Sequence, residues 1–170
     1  TKVITVNPSI IAQGKLIRGI NSPYDYQAEF FDKQGKVLTN TDVQFIINGQ
    51  TYTARTDIEG IAKLTTSHLG LGDYDVTSIN PATGQRLTKQ LSIVPRLLEN
   101  TNIVMDFYDV SQYVLKVIDD DGTPVGAGEF VRIYINGVAY PIETNKDGYA
   151  ILPITLNPGS YSVSVEYKGD

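Results

Sequence analysis

Apolar and polar residues alternate along much of this chain. Tyr26, Ala28 and Phe30 share one parity, as do Val43, Phe45 and Ile47; further on the same holds for Tyr113, Leu115 and Val117 and for Val131, Ile133 and Ile135. Near the end Tyr161, Val163 and Val165 alternate with Ser160, Ser162 and Ser164. A period of two sends successive side chains to opposite faces of a strand, so each run predicts a β-strand with one buried and one wet face. The apolar positions of these runs are the predicted core. No stretch carries a convincing 3.6-residue period. Asn48-Gly49 and Asn136-Gly137 each stand between two runs, and Asn-Gly is the strongest short hairpin signal because both residues tolerate positive φ. Asp32-Lys33-Gln34-Gly35, Asp57-Ile58-Glu59-Gly60, Asp119-Asp120-Asp121-Gly122 and Asn145-Lys146-Asp147-Gly148 are turns of the same chemistry.

The pattern is written twice. A shift of 87 residues places Pro8 on Pro95, Tyr26 on Tyr113, Asp32 on Asp119 and Gly35 on Gly122. One insertion changes the shift to 88, which places Val43 on Val131, Asn48-Gly49 on Asn136-Gly137, Tyr52 on Tyr140, Gly60 on Gly148 and Leu64 on Leu152. A compensating deletion restores 87 for Leu69/Leu156, Gly72/Gly159, Tyr74/Tyr161 and Val76/Val163. Such order over nearly the whole chain predicts tandem domains, since the period is too long for a solenoid. The expected units are residues 1–94 and 95–170, joined near Val94-Pro95-Arg96, where proline ends a strand because it cannot donate to a ladder.

About seven short strands per unit, with turn signals every 8–12 residues, predict an all-β chain of two tandem immunoglobulin-like β-sandwiches. The frame Leu, two residues, Gly, one residue, Tyr, one residue, Val occurs at Leu69–Val76 and Leu156–Val163. It resembles the tyrosine corner, in which a phenol hydroxyl bonds upstream backbone while its ring packs in the core. Tyr74 and Tyr161 are therefore expected to be structural, one for each sandwich.

The whole frame, D-x-x-G, V-x-F/I-x-I-N-G-x-x-Y, T-D/N-x-x-G-x-A-x-L and L-x-x-G-x-Y-x-V, is complete in both units. It resembles the immunoglobulin-like repeats of large adhesin-like surface proteins of methanogenic archaea. The resemblance covers essentially the whole chain, with the Ile47-Asn48-Gly49 and Ile135-Asn136-Gly137 hairpins and Gly-x-Ala-x-Leu as its most specific elements. It implies repeats arrayed in tandem as a stalk outside the cell, neighbouring repeats as partners, a distal surface protein or glycan as target, and no catalytic residues. A weaker likeness is to bacterial CnaB-type adhesin domains, which often carry a self-formed Lys–Asn isopeptide bond. The lysine of such a bond usually precedes the first turn Asp by two residues; here those positions are Phe30 and Val117, and Lys116 points to the other face.

Composition narrows the function. Hydrophobic residues at 41% and charged residues at 19% describe a globular protein, and no apolar run approaches the ~20 residues of a membrane span. A net charge of −5 with 14 scattered basic residues argues against nucleic acid or an anionic membrane as partner. The absence of cysteine excludes disulfides, thiolate nucleophiles and Cys-based zinc sites. His68 is the only histidine, sits in a loop and has no counterpart in the second unit, so it is not expected to be catalytic. Asp119, Asp120 and Asp121 are the sharpest calcium candidate, although the counterparts Lys33 and Gln34 favour a solvated turn; Glu99, Asp106 and Asp109 are a weaker set. No other cofactor is expected. For a glycan, the candidate aromatic contacts are Tyr134, with outward parity, and Tyr108 and Tyr24 in loops; cross-strand packing is the plainer role for Tyr134.

The chain opens and closes inside its own pattern, which predicts a piece of a longer surface protein. The repeat places Thr1–Val6 on Thr88–Ile93. Either this run is the first strand of each unit, or it is a final strand, left over at the start from a preceding repeat and lacking at the end of the second unit. The prolines that follow, Pro8 and Pro95, favour the final-strand reading.

Overall fold

A computed structural model of the chain describes residues 2–107 and 109–167. It is all-β, with no helix among the described residues. The chain divides into two compact units, the first ending at Val94 and the second starting at Pro95.

The first unit holds β1 (Ile10–Ala12), β2 (Leu16–Gly19), β3 (Tyr26–Phe30), β4 (Asp42–Ile47), β5 (Gln50–Arg55), β6 (Ile61–Leu64), β7 (Gly72–Ile79) and β8 (Arg86–Val94). One sheet has the order β1-β3-β6 and the other β2-β8-β7-β4-β5. Tyr26, Ala28 and Phe30 of the first sheet and Val43, Phe45, Ile47, Val76, Leu91 and Ile93 of the second share one buried cluster, so the unit is a β-sandwich. The ring of Phe45 meets those of Tyr26 and Phe30 edge-on, at centroid distances of 5.8 and 6.1 Å. β2 runs parallel to β8, with Leu16 opposite Leu91, and closes that side of the larger sheet.

The second unit holds β9 (Leu97–Leu98), β10 (Gln112–Val117), β11 (Phe130–Ile135), β12 (Val138–Glu143), β13 (Tyr149–Pro153) and β14 (Val163–Glu166). Its sheets are ordered β13-β10-β9 and β12-β11-β14. Register follows the repeat. Phe45 faces Tyr52 as Ile133 faces Tyr140, and Tyr26 faces Leu64 as Tyr113 faces Leu152. Tyr113, Leu115, Val117, Val131, Ile133 and Ile135 are all buried in one cluster with Ala150 and Tyr167.

The alternation around Tyr161 predicts a buried inner face, and there the structure differs. Val163 is 43% exposed and Tyr161 37%, whereas the counterpart Val76 is fully buried and Tyr74 half-buried. The physical reason is cover. β7 lies between β4 and β8, but β14 lies beside β11 only, with no strand on its other edge among the described residues. The parity is unchanged, since Val165 and Tyr167 on the same side reach the core. The run Lys2–Asn7 lies outside every strand, while its repeat counterpart forms the inner part of β8.

Candidate functional site

The tyrosines of the repeated frame make the same bond. Tyr74 donates to the carbonyl of Gly70 at 2.9 Å and Tyr161 to that of Asn157 at 3.0 Å, four residues upstream in each case. Tyr74 packs against the first core, while Tyr161 leaves more than a third of its surface in solvent. The β4–β5 and β11–β12 hairpins turn on Asn48-Gly49 and Asn136-Gly137, with φ of 51° and 73° and of 46° and 82°. These positive values are what a two-residue turn between right-twisted strands needs.

The chemistry-bearing candidates lie apart from these. Tyr24 is 51% exposed beside a cleft of about 150 Å³ that is lined by Gln13, Leu16, Arg18, Tyr24, Asp25 and Gln27. The guanidinium of Arg18 stands 5.6 Å from the centre of its ring. A second concavity, of about 360 Å³, is lined by Glu99, Thr101, Ile103, Ser111, Gln112 and Val114. Four of these residues are repeat counterparts of the first cleft: Ile103 of Leu16, Ser111 of Tyr24, Gln112 of Asp25 and Val114 of Gln27. The hollow recurs with its aromatic and its acid replaced.

Tyr134 sits on the outer face of β11 and donates to Glu166 Oε2 at 2.9 Å. That bond is the main reason its hydroxyl titrates above the ordinary tyrosine value. Arg132 reaches the same carboxylate at 3.7 Å, so the ring is tied into a cross-strand cluster. Tyr108 lies outside the described residues.

In the acidic turn each carboxylate is engaged locally. Asp119 accepts from the amide of Asp120, Asp121 from the amide and hydroxyl of Thr123, and Asp120 pairs with Arg96. No group of three or more His, Asp or Glu side chains converges among the described residues. Glu99, Asp106 and Asp109 are not gathered, and His68 is exposed in the loop before Leu69. Phe30 and Val117 are fully buried, and Lys116 lies over the ring of Tyr149 at 5.0 Å.

Two polar residues that alternation does not point to organise the structure. Asn80 is fully buried; its Nδ2 donates to the carbonyls of Ser9 at 2.9 Å and Phe31 at 2.8 Å, and its Oδ1 accepts from Ala82 at 2.9 Å. It ties the start of β1, the end of β3 and the end of β7 together. At the same repeat position the second unit has Tyr167, only 2% exposed. Arg96, whose side chain is 6% exposed, occupies the counterpart of Ser9 and anchors the acidic turn through Asp120. The one available signal was the repeat itself, which sets Ser9 against Arg96 and Asn80 against Tyr167.

No family model and no curated sequence matches the chain. Among solved structures it is similar to a calcium-stabilised adhesin with which an Antarctic bacterium binds ice, at 15% identity and a TM-score of 0.31 over 91% of this chain and 48% of that one. It is also similar to the Bacteroides ovatus mixed-linkage glucan utilization protein SGBP-B in complex with a heptasaccharide, at 10% identity and a TM-score of 0.32 over 97% and 63%. A third is a 1.5-MDa bacterial ice-binding adhesin, at 15% and 0.27 over 88% and 55%. The chain thus spans about half to just under two thirds of these proteins. The resemblance to archaeal repeats rests on the motif frame alone.

Proposed function

We propose that this chain is a non-catalytic structural module of a cell-surface, adhesin-like protein, one stretch of an extracellular stalk of tandem immunoglobulin-like domains that holds a distal binding region away from the cell. The supporting observation is what the two units share. Core positions, hairpin turns and tyrosine hydrogen bonds recur, whereas the cleft recurs with Tyr24 and Asp25 replaced by Ser111 and Gln112. A duplicated binding module would keep the ligand chemistry; a duplicated spacer keeps the fold. Its partners in this reading are neighbouring repeats, and its target-binding residues belong to another part of the protein.

One observation favours a second reading, a carbohydrate- or protein-binding module. The exposed Tyr24 face with Arg18, Asp25 and two glutamines around it offers stacking and polar contacts in one place. Single-molecule stretching tests the first reading. Forced unfolding is governed by the unfolding rate, and a stalk module should give two resisting steps, the longer from the first unit and the shorter from the second, each releasing about 3 Å of chain per residue. Extension without resisting steps would refute the stalk. Calorimetric titration of the wild type and Tyr24→Ala with soluble β-glucans tests the second, which requires heat that the variant abolishes.

A further inference from the structure

The chain has two Asn-Gly steps, Asn48-Gly49 and Asn136-Gly137, and both are exposed hairpin turns with each residue at positive φ. Glycine has no Cβ, so its backbone nitrogen can be approached closely. A Cβ built on either glycine would meet nothing within 4 Å, and among the described residues neither glycine amide has a hydrogen-bond partner. The two nitrogens are equally open.

The asparagines differ. The Asn136 amide donates to the Ser162 carbonyl and its Oδ1 accepts from the Ser162 amide, each at 2.9 Å, which holds the side chain against the start of β14. Asn48 has neither bond, and no other partner for its side chain or its amide is found among the described residues. The ladders account for the difference. β11 pairs with β14 as far as Ile135 and Val163, right beside the turn, whereas β4 and β7 stop one pair short, at Ile46 and Thr77. The turn of the first hairpin thus stands beyond the last rung that could anchor it.

We propose that Asn48 is a site of self-modification, at which the side chain cyclises onto the Gly49 amide, and that the product loosens β5. Hydroxide takes the proton of the Gly49 nitrogen, which bonds to Asn48 Cγ. The Cγ–Nδ2 bond breaks, and the departing nitrogen takes a proton from water and leaves as ammonia, which restores the hydroxide. Water then opens the five-membered succinimide. Cleavage between Cγ and the ring nitrogen gives aspartate; cleavage at the main-chain carbonyl gives isoaspartate, in which the chain runs through Cγ. Either product adds a negative charge to a chain of net charge −5. Isoaspartate also threads one more methylene through a two-residue turn, whose length fixes how β5 meets β4. β5 is the last strand of its sheet, laddered to β4 alone among the described residues, and it packs Tyr52 and Ala54 against the core. A stalk module and a binding module would undergo the change alike.

The test holds the folded full chain in mildly alkaline buffer and follows both turns by peptide mass mapping, since an acid in place of an amide raises the mass. Asn48 is expected to convert about tenfold faster than Asn136 or more, because Asn136 must first give up two hydrogen bonds. In concentrated denaturant, where neither turn exists, the two sites should convert alike. Ion exchange isolates the modified chains by their added charge, and in the isoaspartyl fraction the β5 amides should exchange with deuterium faster than in the unmodified chain. Equal rates in the folded chain, an Asn48 that stays intact there, or a gap that persists in denaturant would overturn the site; unchanged exchange along β5 would overturn the loosening.

Discussion

Ser162 and Asn136 hold each other from both sides: the Asn136 amide donates to the Ser162 carbonyl, and the Ser162 amide donates to the Asn136 side chain, each at 2.9 Å. One residue thus makes the hairpin turn, at a φ of 46°, and fixes the start of the last strand. Replacing Asn136 by alanine should cost about 1–2 kcal/mol, through the lost hydrogen bond and the strained left-handed backbone, and by glycine less than about 1. Chemical denaturation of both variants checks the order; equal losses would mean that the left-handed backbone at this position costs alanine nothing.

Gly148 has a φ of +80°, and a Cβ added there would lie 2.9 Å from the Val125 carbonyl and from Pro124 Cβ and 3.2 Å from the Val117 carbonyl. Gly35 has a similar φ of +77° but open space around it. Gly148→Ala should therefore destabilise by about 3 kcal/mol or more and Gly35→Ala by only about 1, since backbone cannot yield as solvent can. Thermal unfolding midpoints that fall equally would contradict this.

Asn80 offers two donors to buried carbonyls. In Asn80→Asp a carboxylate would face those oxygens without donors, which raises its pKa in the folded state. The folded form then holds the proton more tightly than the unfolded form, so stability is highest at acid pH and falls as pH rises through the raised value. The expected loss at neutral pH is about 3 kcal/mol or more. Denaturant midpoints at pH 4 and 7 that shift no more than those of the wild type would show that Asn80 is not the tie described.

Burial raises the pKa of Tyr26, partly offset by its contact with Ser78, and burial raises that of Tyr113. The unfolded chain releases these protons first. Stability is thus full below the ordinary tyrosine value of 10.0 and declines as pH rises beyond it, by at most about 1.4 kcal/mol per pH unit for each group. Tyr26→Phe should flatten the alkaline decline of the first unit and leave that of the second. Absorbance titration near 295 nm with parallel denaturation measures both.

The alternating runs were legible because period two is a local property, and the core residues of β3, β4, β10 and β11 are buried as their parity requires. Asn80 was not legible, because its partners Ser9 and Phe31 are 71 and 49 residues away and a lone polar residue in a turn-rich stretch gives no sign of burial. The exposure of Val163 was hidden for a different reason. Alternation tells which way a side chain points; whether anything covers it depends on a neighbouring strand. The clefts escaped for a third reason, since residues as far apart as Gln13 and Gln27 line one of them, and only folding brings them together.

The two units share hairpins, tyrosine bonds and core parity, but β7 is laddered to β8, whereas β14 has no second neighbour among the described residues. Amide hydrogen exchange of the chain in dilute solution reads that difference at the backbone itself. The amides of Tyr74 and Val76 should be protected by β8, and those of Tyr161 and Val163 should exchange at least a hundredfold faster, on the scale of exposed against laddered backbone. Equal protection at the two pairs of positions would contradict this difference, because it would mean that the outer edge of β14 is laddered as that of β7 is.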